Sequence, residues 1–596
     1  MQTSKHKDPN WDEVCRCAEA GFDWCLAKAK QSRSQGQVDS ALGWLSVAAW
    51  SAGGCGFSGR VASPELEQEL ARCAEGLGSG GFQGRSGGRK RWLHVFDEAY
   101  VVGGHTALCW RWIEARTATE RHSVLLIRQR GRVPEKLRLA AEASGGRIHV
   151  LDPGVRLVEQ ARQLCSAARE QADVVVLHTH PDSVVPTVAF GAPGGPPVVV
   201  VNHADHLFQT TGAIADLLFD IRDSGAQWTR NCRGITVAAI VPVPLSDPLE
   251  AKTQESALQD QAFRERLGLP RDSVVLLTVG SAFKYTPVKG LSFCAAVEPI
   301  LQAHPSVWLV AIGPEDDGEW RRLRKTTGGR VLALGRQEDL VPFHRTADIY
   351  LEGFPMGSLT AMLEAGLAGL PCVRAPREVP PPFCSDGIAF EANPEPASLR
   401  DYGAQIAELI RNPLERERQG RLMRDSVRRH HCGEGWAKYL EEGIAKVPAI
   451  HQVNLARRVA SVSLNQRDYW LSRIHVTLGR PGGEDIGAAI LGEAVTRGLP
   501  VQAADYSSLG AVLQPEAGPP LAAAMRAHTL PSEGTSGHGS RSRILAQRLE
   551  QNMRRDLRRR RLLRWWEIGK QRVLQPLGIV GLVRRFGRSI VGDLRH

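Results

Sequence analysis

The chain alternates short apolar runs with longer stretches whose apolar positions recur every three to four residues, and it does so in two series. The first series has strand-length runs at 92–96, 124–127, 148–151, 174–177 and 198–201, with helix-period stretches such as 133–143 and 155–170 between them. The second has runs at 274–279, 307–312, 331–334, 349–351 and 372–373, then long helical stretches at 396–411 and 414–446. Strands that are apolar throughout, separated by helices, predict parallel, doubly wound sheets covered on both faces. Between the series, residues 235–244 (ITVAAIVPVP) predict a strand running into a connector. Ahead of them, 11–75 predicts helices: Ala41, Leu42, Trp44, Leu45, Val47, Ala48 and Ala49 bury most of one, and Pro64 with Glu65 and Glu67 opens another.

The division this gives is a helical N-terminal extension at 1–75, a glycine-rich linker at 76–90, a first α/β domain at 91–245 and a second at 246–449. An accessory region at 450–529 and a linker with a basic amphipathic tail at 530–596 complete it. At 596 residues, 42% apolar and 23% charged, the composition is that of a multidomain globular protein. The polar start and the absence of an uncharged run of eighteen apolar residues predict neither a signal peptide nor a spanning helix. Twelve cysteines without a C-x-x-C pair fit buried thiols in a reducing cytosol. The net charge of +11 is local: residues 541–596 hold sixteen Lys and Arg against four Asp and Glu, which leaves the rest of the chain at −1. A stretch of arginines with Trp565 and Trp566 and clusters of Leu, Ile and Val favours an anionic membrane surface as its partner over nucleic acid.

The densest candidate chemistry lies at 349–372 (IYLEGFPMGSLTAMLEAGLAGLPC). A short strand reaches Glu352, turns through Gly353–Gly357 and enters a helix at Ser358 that stops at Gly369. Unpartnered first-turn N–H groups at the positive end of a helix form an anion site, to which Ser358 and Thr360 add hydroxyls. Glu364, one turn below Thr360, would then be placed to accept from ribose hydroxyls. An ordinary crossover with Glu364 in solvent gives the same pattern. Ligands of parallel sheets sit at the carboxyl ends of the strands, where three further clusters fall: Gly103-Gly104-His105-Thr106, His178-Thr179-His180-Pro181-Asp182 and Asn202-His203-Ala204-Asp205-His206. His178 and His180, two apart, would share a face and reach the cleft together. A metal pair there lacks an evident third ligand. Lys284 and Lys289 flank a turn after the run at 274–279, where two solvated loop lysines are the plain alternative.

Taken together, the segments 202–206, 284–290 and 352–364 resemble GT-B fold glycosyltransferases, and the resemblance extends over about 91–447. Family 4 members carry a second acid about eight residues after the EGF glutamate; here Glu364 follows Glu352 by twelve, closer to the O-GlcNAc transferase type of segment. The resemblance implies two facing Rossmann-like domains that transfer a sugar from a nucleotide diphosphate sugar to a glycan, lipid or protein acceptor. UDP is favoured over GDP, and no metal or other cofactor is implied. Lys284 and Lys289, with the helix tip at Gly357, Ser358, Leu359 and Thr360, would hold the diphosphate; Glu364 would take the ribose and Arg336 the base. Glu352, with His203 a catalytic residue in this reading, would sit near the sugar or ribose; His203 would contact the sugar or act as base, and Gly103, Gly104, His105 and His180 would line the acceptor side. A cytoplasmic, peripherally membrane-associated enzyme is expected. A non-catalytic GT-B scaffold and a sugar-nucleotide epimerase are the alternatives.

Overall fold

The computed structural model describes residues 11–54, 59–75, 77, 88–101, 103–247, 254–288, 290–459 and 486–513. Two all-parallel sheets organise it. The first contains β1 (Lys90–Phe96), β2 (Glu120–Leu126), β3 (Ile148–Val150), β4 (Val174–Leu177), β5 (Val198–Asn202), β6 (Leu217–Asp220) and β7 (Ala238–Ile240), in the order β3-β2-β1-β4-β5-β6-β7. The second contains β8 (Val274–Val279), β9 (Val307–Ile312), β10 (Val331–Ala333), β11 (Ile349–Leu351) and β12 (Cys372–Val373), in the order β10-β9-β8-β11-β12. Each order reverses once, between β1 and β4 and between β8 and β11, and a crevice opens at such a reversal. Continuous apolar runs became strands because both faces are covered: every residue of β4, β5 and β6 is buried.

Strand β6 was not expected. Its run is only Leu217-Leu218-Phe219 before Asp220, too short for periodicity to separate it from a loop, and it forms because β5 offers an open edge. The helical stretch 414–446 is divided in two, Pro413–His431 and Gly433–Ile444, at Cys432 and Gly433. Asn412 caps the first of these by accepting from the Glu415 amide at 3.1 Å. The second crosses back to the first sheet: Trp436 Nε1 donates to Pro242 O at 2.6 Å, and Gly443 packs against Phe219 and Val241. Residues 451–459 continue along the same domain, with His451 Nδ1 2.6 Å from Asp216.

The N-terminal helices Trp11–Ser34 and Val38–Gly54 form a hairpin closed by the edge-on pair Trp24 and Trp44. Phe22 docks edge-on to Phe208 at 5.8 Å, just beyond β5. The extension therefore braces the loop that carries Asn202–His206. A second compact unit begins at Glu484 and includes the helices Ile486–Thr496 and Ala503–Leu513. The basic tail at 541–596 and most of the glycine-rich stretch lie outside the described residues. No helix among the described residues is long and apolar enough to cross a membrane.

Candidate functional site

The carboxyl ends of the two sheets enclose a cleft of about 1610 Å³. On the second sheet, β11 delivers the chain to the glycine turn and the helix Leu359–Leu367. Ser358 does not cap this helix with its side chain. Its hydroxyl instead meets Lys284 Nζ at 3.1 Å, and the same ammonium donates to Gly357 O at 2.9 Å. Lys284 is held by the 3₁₀ turn Ala282–Tyr285 after β8, and the Met356 amide in turn donates to Lys284 O. Burial, and then the nearby Arg222 guanidinium, bring the Lys284 ammonium down to about 8. A positive group and an uncapped helix tip thus point into one place.

Glu352 is not part of the cleft lining. Its carboxylate is fully buried and accepts from the Ala375 amide at 2.8 Å and the Ser385 amide at 2.7 Å. The expectation that it sits near sugar or ribose is corrected: both oxygens serve the backbone that shapes the turn. Gly357 follows from this, since a Cβ there would lie 2.2 Å from Glu352 Oε1. Gly357, Ser358, Leu359, Thr360, Glu364 and Arg336 do line the cleft. Glu364 is not in solvent; Arg111, from the helix Gly104–Arg116 of the first domain, bonds it across the cleft at 2.5 Å. Arg336 is exposed. Lys289 lies outside the described residues.

Across the cleft, Gly104 begins its helix against Thr360, and a Cβ on it would approach Thr360 Oγ1 to 2.7 Å. The glycine is what lets the two helix tips come this close. Gly103, Gly104, His105 and His203 all line the cleft, and the rings of His105 and His203 are 4.2 Å apart. Burial, then the neighbouring His105, press His203 well below the ordinary histidine range, and burial brings His105 to about 4. Both are neutral imidazoles at physiological pH.

The expectation that His178 and His180 both face the cleft fails. Strand β4 ends at Leu177, so alternation ends with it, and neither residue is among the cleft lining. His178 turns into the core, where its Nε2 lies 2.9 Å from His94 Nδ1. His180 stacks on Tyr100, whose hydroxyl lies 3.1 Å from its Nε2. Ligand atoms of His94, Cys109 and His178 lie within 4.8 Å of one another, so these three could hold a metal, but they sit beneath the first sheet's helix and apart from the cleft.

Two site residues escaped the sequence. Arg222, just past β6, lines the cleft and bonds Asp205 through two nitrogens at 2.6 and 2.7 Å, while reaching Cys384 O of the second domain at 3.0 Å. Although burial works to raise it, Asp205 is held well below the usual carboxylate range by Arg222. In Asn202–His206 the acid is thus the anchor of a clamp. Arg111 is the other, lying in the middle of an apolar helix. Among the described residues, eight Lys and Arg against four Asp and Glu line the cleft, so it attracts anions.

No protein-family profile matches the chain, and no curated protein matches it. Among solved structures it is similar to HepE of Anabaena in complex with UDP and glucose (14% identity, TM-score 0.46, 60% of this chain and 99% of that one). It is also similar to a glycosyltransferase from Rickettsia africae (12%, 0.46, 60% and 98%) and to an O-GlcNAc transferase variant from Thermobaculum terrenum (14%, 0.43, 77% and 86%).

Proposed function

We propose that the protein is a glycosyltransferase that moves a sugar from a nucleotide diphosphate donor, with UDP favoured over GDP, to an acceptor in the cleft. The observation that carries this is the uncapped tip of helix Leu359–Leu367 meeting the buried Lys284 at the carboxyl ends of parallel strands, opposite a second set of strand ends. A diphosphate at the tip would meet backbone N–H groups, the Ser358 and Thr360 hydroxyls and the ammonium. These donors stabilise the charge that builds as the sugar leaves. Glu364 would exchange Arg111 for the ribose hydroxyls, and Arg336 would border the base.

In the transfer, the acceptor oxygen forms a bond to the anomeric carbon while the bond from that carbon to the terminal phosphate oxygen breaks. The electron pair leaves with the diphosphate. The acceptor proton passes to His203 or to the departing phosphate, and a neutral imidazole facing the cleft is suited to take it. Closure of the two domains would keep water from the donor. Calorimetry of the full chain with UDP and GDP tests the donor site: saturable binding that Lys284→Ala weakens at least about tenfold supports it. Failure of both nucleotides to bind rejects it. Sugar release from a panel of labelled nucleotide sugars then separates a transferase from a binding scaffold.

A further inference from the structure

Arg111 is a cleft group whose hydrogen bond goes to a residue that the proposed donor would engage. Its side chain is 13% exposed, and one terminal nitrogen meets Glu364 at 2.5 Å. The Nε and the other terminal nitrogen are buried without hydrogen-bond partners. Ribose hydroxyls that took both oxygens of Glu364 would leave the guanidinium charged and without its carboxylate. Removing one member of a largely desolvated ion pair is strongly unfavourable unless another anion replaces it. The wall around Arg111 supplies more positive charge, offset in part by Glu114, which lies close enough to Arg111 and Lys136 to feel both cations. Arg111 and Lys136 each stand 5.1 Å from the ring of Trp110, and Arg132 lines the same wall. The cleft-lining acid on that wall, Glu135, is engaged first by Arg138 at 2.5 Å and feels Arg132 more weakly.

We infer that Arg111, Lys136 and Arg132 form an anion subsite for the acceptor, closed by Glu364 in the free protein and opened when the donor engages that carboxylate. This rests on the donor reading of the cleft. The donor's own diphosphate is the less suitable anion, because Ser358 and Glu364 are six residues apart on one helix, about 9 Å of rise. Arg111 is likewise seven residues along its helix from Gly104, about 10 Å from the proposed reacting end. The acceptor is therefore an extended molecule whose phosphate or carboxylate lies about that far from the hydroxyl that is glycosylated. Ordered binding follows, donor first and anionic acceptor second.

Calorimetry of the full chain with n-octyl phosphate, n-octanoate and the neutral n-octyl β-glucoside tests this, each with and without saturating UDP. Wild type should bind an anionic probe at least tenfold more tightly with UDP than without, and the glucoside should show no such gain. The phosphate and carboxylate arms tell which anion fits. Glu364→Gln should bind that probe without UDP as tightly as UDP-saturated wild type, and adding Arg132→Gln and Lys136→Gln to it should remove the gain. If UDP fails to bind wild type but Glu364→Gln still gains the anion, the donor reading falls and the subsite stands. If UDP binds and no anionic probe gains affinity in either protein, the subsite is wrong. It is also overturned if Arg111→Gln weakens UDP itself tenfold while the UDP-saturated wild type takes up neither anion.

Discussion

Lys284 and Ser358 meet at 3.1 Å, Nζ to Oγ, although they come from different crossovers of the second sheet. The contact turns the serine hydroxyl away from its own helix and leaves the tip free for a ligand. Lys284→Met should reduce kcat with a nucleotide sugar by about 100-fold, the usual cost of losing one preorganised charge at a developing anion. The pH dependence has a definite sign. With the ammonium brought to about 8 in the free protein, UDP affinity should be flat below that pH and fall above it as the proton is lost. Lys284→Arg should move that fall to higher pH. Calorimetry across pH 6.5 to 9.5 would read both effects, and an unchanged profile in Lys284→Arg would exclude the lysine as the titrating group.

Glu352 looks like a catalytic acid in the sequence and is a backbone anchor in the structure. Glu352→Gln retains one acceptor and sets an NH₂ against an amide N–H, so one charge-assisted bond is lost and one donor stranded. A loss of about 2–4 kcal/mol in urea unfolding is expected. A catalytic role would instead abolish turnover with stability unchanged. The two outcomes are separated by a single denaturation curve.

The extension is fastened by an ion pair buried between distant parts of the chain: Arg457 Nη2 lies 2.6 Å from Glu67 Oε2, and Arg457 also donates to Arg233 O. Burial raises Glu67 above the ordinary glutamate range despite Arg457 opposing it. Arg457→Met should cost about 3–5 kcal/mol, because the carboxylate is left unpaired. Replacing both residues, Glu67→Leu with Arg457→Met, should recover most of that loss. Thermal or urea unfolding of the wild type, each single variant and the double variant checks the cycle, and a double-variant loss equal to the sum of the two single losses would show that the pair is not coupled.

What the sequence made legible follows from range. Apart from β6, the strands of both sheets, the glycine turn and the helix tip are local patterns that apolar runs and glycines specify over a short range. Lys284 joined the tip because a loop after one parallel strand and a helix after another must share a crevice. Arg111 and Arg222 were hidden because their partners, Glu364 and Asp205, lie on other elements and no local spacing marks them. His178 and His180 were misplaced for a different reason: a period-two argument holds only while the strand lasts. Glu352 shows the limit of motif reasoning, since the acid next to a site and the acid in a site occupy the same position in the string.

His203 offers the sharpest test of the chemistry. It lines the cleft beside His105 and is kept neutral by burial and by that neighbour. A histidine base usually loses activity as pH falls through the ordinary histidine value near 6.5. Here burial and the neighbouring His105 delay protonation, so any acid limb from His203 should lie below that ordinary value. His203→Ala should lower kcat by about 100-fold, within the range for losing a general base, and leave UDP affinity unchanged because the lysine and helix tip are untouched. If kcat survives and only the acceptor KM rises, the imidazole positions the acceptor and the proton leaves with the diphosphate. An acid limb near 6.5 that persists in His203→Ala would assign that limb to another group.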